Sequence, residues 1–137
     1  MRTPAQTYSL VFGWALLVAG IIGFFVSATF GSPGSTGDLL AIFRVNGWHD
    51  LVHVASGLVG LACAGRPSSA RAFAGGFGLV YLAVAIWGFA LGAHGNILGF
   101  LPINTGDNVL HLAIALLGLA TAAASHEPDP VAGRLSV

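Results

Sequence analysis

Residues 46–64 read NGWHDLVHVASGLVGLACA, and residues 104–122 read NTGDNVLHLAIALLGLATA. Laid over each other without a gap, they match at Asn46 and Asn104, at His53 and His111, at Gly60 and Gly118, and at Leu61-Ala62 and Leu119-Ala120. The runs before them, LLAIFRV at 39–45 and ILGFLPI at 97–103, keep the same register. Further upstream, FG at 12–13 and GF at 23–24 recur as FG at 77–78 and GF at 88–89. Apolar segments often agree by chance, but a shared Asn and His at one spacing are harder to obtain that way. The pattern predicts a helical hairpin present twice, with repeat units at about 8–64 and 72–122. Each unit crosses twice, so both point the same way, and a pseudo-twofold axis along the membrane normal should relate them.

That these hairpins lie in a membrane follows from composition. Of 137 residues, 55% are hydrophobic and 7% charged. A soluble domain carries about 25% charged residues, so this chain could not solvate an ordinary surface. Lipid is the medium that tolerates such an exterior. Formal net charge is +0, which provides no basic field for nucleic acid and no polybasic patch for anionic lipid. The single Cys63 rules out an internal disulfide; it reads as inert packing near the inner end of its helix. Twenty glycines suit membrane helices, whose backbones approach closely over small residues.

Four apolar segments are long enough to consider as spans: about 5–30, 47–64, 72–93 and 107–124. The usable range for a crossing helix is about 17–25 residues, and the second and fourth stand at its short end. No strand-like alternation suggests a barrel, so the expected fold is all-α: an integral membrane four-helix bundle of two tandem-duplicated hairpins, forming one domain over 1–125. The first segment is too long for a secretory signal and reads as a retained anchor. TPAQ at 3–6 fits a helix start, with Thr3 as N-cap, Pro4 at the first position and Gln6 closing a capping box. GRPSSAR at 65–71 reads as a short polar loop, and 126–137 as a disordered tail. The longer connections end in apolar pieces too short to span, expected to lie at the bundle mouth. Arg2, Arg66, Arg71 and Arg134 fall on one side and Arg44 alone on the other. The positive-inside rule then puts both termini in the cytoplasm.

Positions three, four and seven apart share a helix face. Asn46, His49 or Asp50, and His53 therefore form one polar stripe, and Asn104, Asp107 or Asn108, and His111 another. Each stripe then turns small, at Gly57 and Gly60 and at Ala115 and Gly118, which marks a helix–helix contact. The polar groups should thus face the bundle interior at its outer end. Three readings remain open. In the first, a structural one, Asn46 and Asn104 cap helices, Asp50, Asp107 and Asn108 serve the first turns, and the histidines pin helices together. The protein is then not an enzyme but a small membrane subunit, alone in the bilayer, as a homo-oligomer or in a membrane complex, and needs no cofactor. In the second, His53 and His111 face each other as axial ligands of a b-type haem, or join His49, Asp107 and His94 around a divalent metal. The third is proton or solute transport, against which the inner halves of the segments offer no ionisable group. No HExxH, CxxC or CxxCH occurs.

NGWHDLVHVASGLVGLA, GGFGLVYLAVAIWGF and LPINTGDNVLHLAIALLGLA together resemble a bacterial membrane family catalogued as domain of unknown function 4383, common in actinobacteria. The resemblance covers roughly residues 5–122 and carries over at Asn46, His49, His53, Asn104, Asp107, Asn108 and His111. It implies a four-helix membrane protein and no particular activity. Members usually have a longer charged segment between the first two helices than the GSPGSTGD found here.

Overall fold

The structure is a computed structural model, and it describes residues 1–31, 36–40 and 42–125. The expected tail at 126–137, Arg134 within it, lies outside the described residues. Four helices carry the chain: α1 (Pro4–Val26), α2 (Gly47–Cys63), α3 (Pro67–Leu91) and α4 (Thr105–Ala124). The four-helix expectation holds. At its start α1 has the predicted capping box, Thr3 accepting from the Gln6 amide while Gln6 accepts from the Thr3 amide, with Pro4 in the first turn. α3 begins at Pro67 and not at Ala72, so most of the expected 65–71 loop is helix; a proline already fixed at helical φ opens it.

Three helices, α1, α3 and α4, are long and apolar enough to cross a membrane, with mean hydropathy 2.3, 1.8 and 1.5 over their best windows. α2 has 17 residues, the lower limit of the usable range. Many large apolar side chains point outward, among them Val11, Trp14, Val18, Phe25, Leu79 and Ile86. An apolar exterior of this extent is stable only against lipid, and the chain is a membrane protein.

α1 packs chiefly on α2 and α3 chiefly on α4, each pair antiparallel. Glycines set the separation. A Cβ on Gly13 would lie 2.9 Å from the Leu61 amide nitrogen, and one on Gly78 3.0 Å from the Leu119 amide nitrogen. Gly23 lies directly against the Asp50 carboxylate, and Gly88 against the Asn108 amide. Between the pairs, Phe73 covers Gly60 and Tyr8 covers Gly118, with the Tyr8 hydroxyl donating to the Ile114 carbonyl at 3.0 Å. Ala5, Ala70, Ala74 and Ala115 complete this central core at 0% exposure. It closes the end of the bundle away from the polar stripes.

The opposite end differs from expectation. The short apolar pieces are two antiparallel ribbons, β1 (Gly37–Leu39) with β2 (Phe43–Val45), and β3 (Asn96–Ile97) with β4 (Leu101–Pro102). Leu39 pairs with Phe43 and Ile97 with Leu101, so each turn is tight, and Leu40 and Leu98 both take φ 54° to make it. Gly99 follows at φ 80°, where its missing Cβ removes the strain. Backbone groups in and beside the ribbons find partners outside them. The Arg44 amide donates to Asp107, the Gly47 amide to the Thr29 carbonyl, and the Ile103 amide to the Gly95 carbonyl.

Candidate metal centre

The ribbons deliver the chain into α2 and α4 through matching caps. Asn46 accepts from the His49 amide at 2.9 Å and donates to the Phe100 carbonyl in the other half at 2.8 Å. Asn104 accepts from the Asp107 amide at 3.0 Å and donates back to the Ile42 carbonyl at 2.7 Å. Both asparagines thus cap their helices, as their position in the sequence predicts, and also cross-link the halves.

One difference between the caps decides the site. In α4 the third helical residue is Asp107, whose carboxylate accepts from its own cap, the Asn104 amide, at 2.9 Å and from the Arg44 amide at 3.0 Å. In α2 that place is His49, and the helix has no capping box. An imidazole there is free to turn inward, and it does: its ring centroid lies 4.5 Å from that of His53 and 6.1 Å from that of His111. Tyr81 meets His111 edge-on at 5.1 Å.

Taking one nitrogen from each ring, His49, His53 and His111 place three ligand atoms within 4.8 Å of one another. His49 and His111 are buried at 5% exposure, and the Nδ1 of each has no hydrogen-bond partner. Around a tetrahedral zinc ion with Zn–N near 2.0–2.1 Å, ligand nitrogens stand about 3.4 Å apart, so small side-chain rotations close the set on one ion. A haem fits less well. Any macrocycle held by His53 and His111 would also have to clear the His49 ring, whose centroid lies 4.5 Å from that of His53 and 6.1 Å from that of His111.

The remaining candidates separate. Asp107 is committed to the cap and the ribbon and is not among the gathered ligand atoms. His94 is exposed in the turn after α3, also outside the group. Asp50 is in the first turn of α2 but caps nothing and orients no imidazole: it is fully buried against Gly23, and neither carboxylate oxygen has a partner. Asn108 likewise faces Gly88 with its Oδ1 unpartnered. Sequence reasoning missed Tyr81 at the site. The signal was present, since Tyr81 is a phenol in the middle of an apolar helix and such a group needs a polar neighbour.

Fold and site together define a four-helix membrane protein with a group of three histidines, two of them buried, near one end. Residues 6–124 match the family described as Domain of unknown function (DUF4383), and the chain belongs to that family. No curated protein and no solved structure matches it.

Proposed function

We propose that this protein binds one divalent transition-metal ion within the membrane through His49, His53 and His111. The observation that carries this reading is the convergence of three imidazoles, two buried and one partly buried, whose ligand atoms lie within 4.8 Å; the two buried ones have an unpartnered Nδ1. His49 and His111 each carry a buried polar atom left without a partner, at a cost of about 1–3 kcal/mol. A single ion removes it. Imidazole suits zinc, copper, nickel and iron, and three protein ligands leave a coordination position open. Purely structural pinning is less favoured, because other groups make the hydrogen bonds between the halves, among them Asn46 to Phe100, Asn104 to Ile42, Arg44 to Asp107 and Tyr8 to Ile114. Protein purified without chelator from zinc-supplemented cells should carry about one ion per chain by elemental analysis, and His111→Ala should carry none. A wild type free of metal, or equal content in both, would refute the reading.

The proposal includes a duplicated origin for the two halves. It is supported by the reciprocal bonds of Asn46 and Asn104 and by the reciprocal covering of Gly60 by Phe73 and Gly118 by Tyr8. It also includes an orientation. Arg2, Arg66 and Arg71 lie at the end away from the ribbons and Arg44 at the ribbon end, which favours a cytoplasmic face at the Arg66 turn and an outward-facing metal site in a bacterial plasma membrane. In a Cys63→Ser background, Ser68→Cys should react with an impermeant maleimide only after the cells are opened; labelling of intact cells would reverse the topology.

A further inference from the structure

Two cavities leave the histidine cluster on opposite sides. The larger, about 510 Å³, lies between α1 and α4 along Trp14, Ala15, Val18, Ala19, Ile22 and Leu110, with the β1–β2 ribbon across its end. The smaller, about 180 Å³, lies between α2 and α3 along Ser56, Phe77, Val80, Tyr81 and Val84. His53 and His111 line both. The register of the sequence repeat explains the difference in size. Ala15 and Ala19 stand where the other half has Val80 and Val84, and Leu16 stands where it has Tyr81.

We infer that the α1–α4 groove is a binding site for a neutral membrane lipophile with a carbonyl or hydroxyl head, the head at His53 and His111 and the tail along Ala15 and Ala19. Access is from lipid, since Trp14, Val18, Ile22 and Leu110 are also exposed on the outer surface. The long wall is apolar, and the polar residues lining the groove are His53, Asp107 and His111 at the cluster end. His111, 5% exposed, lines this cavity and carries an Nδ1 without a hydrogen-bond partner. The charge of the lining selects the head. No arginine lines the groove and a carboxylate does, so an anionic head meets no counter-charge. Two backbone amides donate to one Asp107 oxygen, Oδ2, and tie that side chain to its own cap and to the ribbon. The other two polar groups at this end are the imidazoles of His53 and His111, which suit a neutral oxygen that exchanges a hydrogen bond with them. The volume suits a small ligand, for which pockets run about 300–1,000 Å³, whereas the smaller cavity is below that range.

This inference does not require an ion at the histidines, and its test keeps the two apart. In Trp48→Phe/Trp87→Phe protein the remaining indole is Trp14, on the groove wall. Titrating decylubiquinone into this variant in nanodiscs should quench Trp14 saturably. Dodecanol should displace the quinone and palmitate should not. Adding Ala15→Val/Ala19→Val, which copies the narrower groove, or Leu110→Phe, which fills it from α4, should reduce the quenching to the linear response of free partitioning, with metal content unchanged. Linear quenching before these changes, saturable quenching that survives both, or displacement by palmitate would overturn the assignment. A wild type that binds quinone saturably but carries no metal would refute only the metal centre.

Discussion

Gly57→Ala is expected to destabilise the protein, whereas Gly76→Ala should leave its stability unchanged or raise it. Both are single methyl additions in the middle of an apolar helix. A Cβ at Gly57 would stand 2.6 Å from the Leu17 nitrogen, 2.7 Å from the Gly13 oxygen and 2.9 Å from the Leu17 Cα. All three are α1 backbone atoms, so no side chain can rotate away and α1 itself must shift. Overpacking of this kind costs about 1–3 kcal/mol, occasionally more. The cost falls on the contact that matters most here, since helix association in lipid rests on close approach over small residues and not on a hydrophobic drive. Gly76 has nothing within 4 Å of the added methyl. There the change keeps only the gain in helix propensity, about 0.8–1 kcal/mol. Unfolding of the purified proteins by SDS in mixed micelles would show the two variants moving in opposite directions from wild type. Equal shifts would mean that the α1–α2 backbone contact is not what sets the packing.

Replacing one histidine should weaken metal binding far more than replacing one cap, and the stability effects should run the other way. His53→Ala removes one of the three proposed ligands. Loss of a mere orienting partner lowers metal affinity about 10- to 100-fold, so loss of a ligand should cost at least about 100-fold. Its side chain carries none of the hydrogen bonds between the halves, and the metal-free fold should survive. Asn46→Ala instead removes the cap of α2, worth about 0.5–2 kcal/mol. It also removes the 2.8 Å bond to the Phe100 carbonyl, worth about 0.5–1.5 kcal/mol more. That variant should melt earlier yet still bind metal, because the three imidazoles remain. A His53→Ala protein that unfolds while keeping its metal would return the histidines to the role of interhelical pins.

Much of this arrangement is legible in the residues. The apolar runs fix the helices. Asn46 and Asn104 announce caps because a short amide before an apolar run is what a helix N-terminus needs, and the repeat brings His53 and His111 to one axis. His49 could be placed on the same face as His53, but its inward turn could not. That depends on the absence of an acid at the third helical position, a comparison between halves whose meaning appears only once Asp107 is seen holding both its own cap and Arg44. The ribbons were hidden for a different reason. Strands this short carry no periodicity, and the turn at Leu40 has no glycine to mark it; Gly99 was the one local signal for a hairpin. The contacts of Gly23 with Asp50 and Gly88 with Asn108 depend on the relative rotation of packed helices, which spacing along one helix does not encode.

The central claim is that three imidazoles converge on one ion, and cobalt(II) titration of the metal-free protein in detergent tests it most directly. A nitrogen-ligated ion of low coordination number gives cobalt(II) visible d–d bands that the hexa-aquo ion lacks. The account predicts bands that saturate at one cobalt per chain, are displaced by zinc, and vanish in His49→Ala/His53→Ala/His111→Ala. A colourless titration, or bands that persist in the triple variant, would contradict it.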